Sequence, residues 1–165
     1  MRKAMKQTTL CTLVDRKEKR ILLGMKKHGF GQGKYNGFGG KVKKGESLEE
    51  AAIRELHEEL GVRAGSIRKV CELTFGFPHV PKIKRWDQIV HVFLVEKWTG
   101  RLKESREMRP EWFAFEGIPY GRMWQDDRHW LPLVLKGKKI RARFVFGEDG
   151  NSIKSMEMKQ VEKLF

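Results

Sequence analysis

Cysteine is nearly absent: Cys11 and Cys71 are the only two in 165 residues. They lack metal-ligand spacing and are too few for a secreted disulfide framework, so both read as free core thiols. No apolar run approaches the roughly 18 residues of a membrane span, which argues against a membrane partner. No linker, internal repeat or low-complexity stretch interrupts the chain, so residues 1–165 read as one domain, expected to be monomeric. The opening MRKAMKQ is basic but leads into the strand-like TTLCTLV rather than a leucine-rich signal core, and a cytoplasmic protein is expected. Acidic residues are outnumbered, with 21 Asp and Glu against 35 Lys and Arg, giving a net charge of +14. Such a balance favours anionic partners, from a nucleoside triphosphate to RNA or DNA. The basic stretches 16–20, 41–44, 82–85 and 136–143 carry few interleaved aromatics, which suits solvated surface and steering of a small anion better than a nucleic-acid groove.

The richest stretch is GKVKKGESLEEAAIRELHEELGV, from Gly40 to Val62. Ser47 with Glu50 three residues on is a capping box, and Gly61 is a natural stop, so the spacing predicts a helix over 48–60. Ala52, Ile53, Leu56 and Leu60 form its apolar stripe. Glu55, Glu58 and Glu59 stand at i, i+3 and i+4 and line an adjacent stripe. Two unit charges about 4 Å apart repel by roughly 4 kcal/mol at an effective dielectric near 20, so three converging carboxylates call for a counter-charge. Oxygen-only ligands suit Mg²⁺ or Mn²⁺, with phosphate oxygens completing the shell. On spacing alone, a Glu-rich face is more often just solvated.

Ahead of this helix, two strands are expected at 7–14 and 20–25 around the charged turn 15–19. The loop HGFGQGKYNGFGG follows, whose six glycines permit close backbone approach to a ligand. Beyond the helix, strands are expected at 67–77 and 88–96, with HVPKIKRWD between them as an exposed basic loop and a turn at Trp98 to Gly100. A short strand at 111–115 precedes a second helix, capped by Asp126 or Asp127, running to about Leu135 and distorted by Pro132. A hairpin pairs 139–146 with 152–158 across Asp149-Gly150. The order gives an α/β chain with a mixed sheet and helices packed on it.

Gly40, Glu46, Arg54, Glu55, Leu56, Glu58, Glu59, Gly61 and Val62 fit G-x5-E-x7-R-E-U-x-E-E-x-G-U, with U apolar, at every fixed position. At average residue usage, seven such identities arise by chance on the order of 10⁻⁸ per window. This pattern resembles the signature of the Nudix superfamily, hydrolases of nucleoside diphosphates linked to another moiety. Further stretches, RILLGMKKHGFGQGKYNGFGGKV, EMRPEWFAF, MWQDDRHWLPLVL and the final hairpin, are similar to the branch of oxidised purine nucleoside triphosphatases of the 8-oxo-dGTP diphosphatase type. The resemblance implies the Nudix fold, an α/β/α sandwich around a mixed sheet, and cleavage of a modified purine triphosphate to monophosphate and pyrophosphate.

By that resemblance the Gly40 carbonyl with Glu55, Glu58, Glu59 and Glu107 holds Mg²⁺, and Glu55, Glu58 or Glu107 takes the proton of the attacking water. Glu46 and Arg54 are expected to form a structural ion pair. Asn36, Asp126 and Asp127 are implied as hydrogen-bonding partners of the base, with Phe30, Phe75 and Trp124 around its ring and Lys26 nearby. An amide and aromatic planes suit a purine, and two carboxylates in a dry pocket should leave one protonated. The sequence departs from the branch at Cys11, Gln88 and Tyr35, where threonine, methionine and tryptophan are expected, and in a longer loop over 79–87. These departures bear on base preference. Two other readings fit the motif: action on RNA 5′ ends or dinucleoside polyphosphates, and a non-catalytic nucleotide-binding module.

Overall fold

The computed structural model describes residues 5–164, so the part of the N-terminal leader argument that falls on residues 1–4 lies outside the described residues. The strands are β1 (Lys6–Asp15), β2 (Arg20–Lys26), β3 (Tyr35–Asn36), β4 (Arg63–Gly76), β5 (Gln88–Thr99), β6 (Met108–Ala114), β7 (Lys139–Phe146) and β8 (Ile153–Val161). Two helices, α1 (Leu48–Leu60) and α2 (Asp127–Leu135), join them. One mixed sheet runs β3-β2-β1-β5-β4-β7-β8, with β6 paired to β2. Its parallel pairs are β1 with β5 and β4 with β7.

Side chains alternate along β1, and the alternation divides the core in two. Cys11 and Leu13 pack beneath α1 with Leu22, Phe38, Ala52, Leu56 and Leu60. Leu10 and Val14 face the opposite layer, where Leu73, Val92, Trp130, Leu131 and Val134 pack under α2. The sheet therefore lies between the two helices, an α/β/α sandwich.

Helix α1 begins and ends where its caps dictate. The Ser47 side chain accepts from the Glu50 N–H, the Glu50 side chain accepts from the Ser47 N–H, and Gly61 closes the helix at φ 75°. The expected turn at Trp98 lies instead inside β5, which runs on to Thr99 before Gly100 turns the chain. Helix α2 runs through Pro132, whose ring removes one donor from the helix ladder. No aspartate side chain caps it. Asp126 has helical backbone angles and makes no side-chain capping bond, because its carboxylate is committed to Trp130. Among the described residues, no helix is long and apolar enough to cross a membrane.

Candidate active site

Helix α1 brings its glutamates to the sheet beside the end of the glycine-rich loop. Gly39 and Gly40 are required there by contact: a Cβ on Gly39 would lie 1.8 Å from the Thr9 carbonyl oxygen, and one on Gly40 2.5 Å from Glu55 Oε1. The Thr9 N–H donates to the Gly40 carbonyl at 2.9 Å, which leaves that oxygen one lone pair free. Glu59 is buried, and its carboxyl accepts from the Gly39 N–H while Oε2 has no hydrogen-bond partner. Burial first, then the charges of Glu55 and Glu107, push its pKa up to about 8, with Lys26 opposing. Lys26 Nζ stands 3.8 Å from Glu107 Oε2, which ties Glu107 to the same corner.

Arg54 organises the remaining acids. Its guanidinium grips Glu46 through Nε at 2.6 Å and Nη2 at 3.1 Å, the expected structural pair between loop and helix. That bond holds the Glu46 carboxyl down at about 2. Arg54 Nη1 also donates to Glu55 Oε1 at 2.9 Å and Glu58 Oε2 at 3.3 Å. The three glutamates are thus unequal: Glu59 is buried, Glu55 is mostly covered, and the Glu58 side chain is 52% exposed. Among the described residues, no three acidic, imidazole or thiol groups stand in ready coordination geometry. The reason is visible in the pairing, since Arg54 and Lys26 draw three of the carboxylates onto themselves.

The donor set nonetheless fits a divalent cation. An orphaned buried carboxylate oxygen, a carbonyl with a spare lone pair and a side-chain-free approach at Gly40 lie together, all oxygen ligands.

From this acidic corner a cavity of about 340 Å³ runs over the α2 face of the sheet. Gly40, Glu59 and Lys26 line it, together with Asn36, Phe30, Phe75, Trp124, Asp126 and Asp127. Phe30 stacks on Trp124 with centroids 4.9 Å apart and planes 26° apart. Asn36 lines the cavity and accepts from the Gly37 N–H through its side-chain oxygen at 2.9 Å. Asp126 and Asp127 are both buried, at 2% and 3% exposure. Asp126 Oδ2 accepts from Trp130 Nε1 at 2.9 Å, whereas Asp127 Oδ2 has no partner. Burial pushes Asp126 up to about 6, and burial followed by the neighbouring Asp126 charge pushes Asp127 well above the ordinary carboxyl value.

Several residues differ from their expected places. Trp86, inside the loop read as exposed, folds back so that its ring meets Phe30 at 4.6 Å and Phe77 at 5.3 Å. A lone tryptophan beside Asp87 in a basic loop was the available signal. Asp87 anchors the fold-back by accepting from the Phe77 N–H at 2.7 Å. Phe146, reaching in from β7, stacks on Phe77 at 4.7 Å, a contact between distant elements that spacing does not encode. Cys11, expected near the base, lies in the core under α1, on the opposite face of the sheet. Burial pushes its thiol up to about 12, and Cys71 is likewise a buried free thiol. Tyr35 is core, packed edge-on against Phe113 at 5.0 Å, while Gln88 does line the cavity.

A carboxylate-rich helix beside a nucleoside-sized cavity on an α/β/α sandwich is the working arrangement of a hydrolase of linked phosphates. Residues 5–134 match the family model of the NUDIX domain, so the chain belongs to that family. It is 43% identical to the oxidized purine nucleoside triphosphate hydrolase of Mus musculus over 143 residues, 87% of this chain and 88% of that protein. To the protein of the same name from Danio rerio it is 46% identical over 127 residues, 77% of this chain and 79% of the other. The crystal structure of a mutator MutT protein from Bacillus halodurans matches the fold with a TM-score of 0.79 at 22% identity, covering 93% of this chain and 97% of that one. Membership of this family brings with it a divalent metal ion and a nucleotide substrate.

Proposed function

We propose that this chain is a Mg²⁺-dependent pyrophosphohydrolase that cleaves oxidised purine nucleoside triphosphates, of the 8-oxo-dGTP and 2-hydroxy-dATP type, to the monophosphate and pyrophosphate. The observation that carries the reading is one cavity whose lining combines the buried Glu59 and the glycine backbone before α1 with aromatic rings and two buried aspartates. Relatives over 40% identical along most of the chain, whose names state that activity, support the same substrate class.

In this reading Glu55, Glu58, Glu59, Glu107 and the Gly40 carbonyl hold the cation, which supplies charge neutralisation for the phosphates when bound. Glu58 and Glu107, both half exposed, would exchange their pairing with Arg54 and Lys26 for the cation. Glu55, Glu58 or Glu107 takes a proton from the water that attacks phosphorus. The bond from that phosphorus to the bridging oxygen breaks, and the electron pair leaves with pyrophosphate. Lys26, expected beside the base, lines the cavity and stands 3.8 Å from Glu107, which suits a contact to the substrate's negative charge. Phe30, Phe75 and Trp124 flank the purine, and Asn36, Asp126 and Asp127 read its edge. With one aspartate protonated, the pair offers a donor beside an acceptor, which suits purine edges of different patterns. Residues 1–165 act as one monomeric, cytoplasmic domain.

A panel of ordinary and oxidised purine triphosphates with Mg²⁺, scored for monophosphate and pyrophosphate, tests the proposal. Preferential release of both products from an oxidised purine is expected. Equal rates on all purines, or release of inorganic phosphate alone, would contradict it.

A further inference from the structure

Phe30, one of the rings set around the base, is placed by its neighbours more than by its own backbone. It stands between Gly29 and Gly31, whose φ of 79° and 83° lie in the left-handed region that glycine enters freely, and it is 45% exposed. Two rings hold it. It stacks on Trp124, and it meets Trp86 edge-on at 4.6 Å with the planes 67° apart. Phe30, Trp86 and Trp124 line the same cavity as Asp126 and Asp127.

Trp86 is itself fixed, although it comes from the loop over 79–87 that is longer than in the branch the chain resembles. Its indole meets Phe77 edge-on at 5.3 Å, and a Cβ on Gly150, in the β7–β8 turn, would lie 3.4 Å from its Cζ3. The two residues that follow tie down its backbone. Asp87 accepts from the Phe77 N–H and from Lys82 Nζ, at 2.7 Å each. Gln88 Nε2 donates to the Trp86 carbonyl at 3.2 Å, and Gln88 Oε1 accepts from Thr8 Oγ1 at 3.0 Å, which carries the restraint to β1. The glycine-rich loop, the long loop and the β7–β8 turn thus converge on one indole. A pocket wall ordered before the ligand arrives spares the ligand the cost of ordering it.

The geometry points to Trp86 as a positioning residue: anchored through Asp87 and Gln88, it braces Phe30 in the place where a purine ring packs. The longer loop then sets how tightly the base is held and leaves the phosphate chemistry at α1 unaltered. This rests on the proposed function, since it presumes a base among these rings.

The test uses the full chain with Mg²⁺ and the variants Trp86→Ala, Trp86→Phe and Asp87→Ala. Calorimetric titration with the monophosphate of an oxidised purine gives Kd without turnover, and the triphosphate gives kcat and KM. In Trp86→Ala, Kd and KM should rise about two- to tenfold, the worth of one aromatic pair, while kcat changes less than about twofold. Asp87→Ala, which keeps the indole but frees its loop, should move Kd the same way. Trp86→Phe keeps a ring for Phe30 to meet and should bind within about twofold of the wild type. A Kd unchanged in Trp86→Ala or in Asp87→Ala, a Trp86→Phe as weak as Trp86→Ala, or a kcat that falls as far as the affinity overturns the inference and leaves the proposed function standing. A wild type that binds the monophosphate without cleaving the triphosphate removes the proposed reaction alone, and the Kd comparison still decides the role of Trp86. No binding by the wild type removes both.

Discussion

Replacing Asp126 by asparagine should flatten the pH dependence of stability. Asp126 is buried, and its pKa is raised from the ordinary 3.8 to about 6, chiefly by burial. Between about pH 4 and pH 6 the folded protein therefore keeps a proton that the unfolded chain has released, and stability falls as pH rises through that window. A shift of about two units at roughly 1.4 kcal/mol each makes the fall about 3 kcal/mol. Asparagine preserves an oxygen acceptor for the Trp130 indole but has no proton to release. Removing the Asp126 charge also relieves Asp127, so the two effects have the same sign. Carboxylates held low, such as Glu46 and Asp149 at about 2, lose their stabilising charge at more acid pH and do so equally in both proteins. Urea unfolding of wild type and Asp126→Asn from pH 4 to pH 8 should give curves that diverge by about 3 kcal/mol, or about 6 to 12 °C in Tm for a domain of this size. Parallel profiles across that range would refute the reasoning, because they would mean the buried carboxyl titrates as it does in water.

Three further outcomes follow from the same geometry. Trp130→Phe removes the 2.9 Å donor to Asp126, and should cost about 1 to 3 kcal/mol in urea unfolding and move the pH-dependent fall upward, since that bond holds the Asp126 pKa down. An unchanged unfolding curve would contradict this. Glu59→Gln should lower turnover by about 100-fold or more while leaving stability intact or higher, because burial opposes the charge that is removed; full activity at saturating Mg²⁺ would sink the metal assignment. Gly40→Ala sets a Cβ 2.5 Å from Glu55 Oε1 and should swing that carboxylate off its 2.9 Å bond to Arg54. A fall in kcat of about 10- to 100-fold with Tm nearly unchanged is expected from displacement of one catalytic group, and wild-type kcat would argue against a role for Glu55.

What local chemistry specifies was legible from the chain alone. Ser47, Glu50 and Gly61 bounded α1 to the residue, because a capping box and a left-handed stop act within a few positions. The glutamate spacing, the Glu46 to Arg54 pair and the family followed from the same 23 residues. What the chain alone left open depends on which strands become neighbours. The parallel pairing of β1 with β5 and the side of the sheet that each residue faces moved Cys11 away from the cavity, while Gln88 lines it as expected. Trp86 looked like part of a solvated loop until Phe30 and Phe77, from two other segments, provided rings to pack against. Asp126 read both as a helix cap and as half of a carboxylate pair with one member protonated; the fold gives it no cap bond, ties its carboxylate to Trp130 one turn on, and raises its pKa by burial. Sequence by itself determined the helix, its acids and the chemistry they suit, since those are set by covalent neighbours and a 3.6-residue repeat. Only the tertiary structure decided which carboxylates lose their water, because desolvation is imposed by residues far away in the chain.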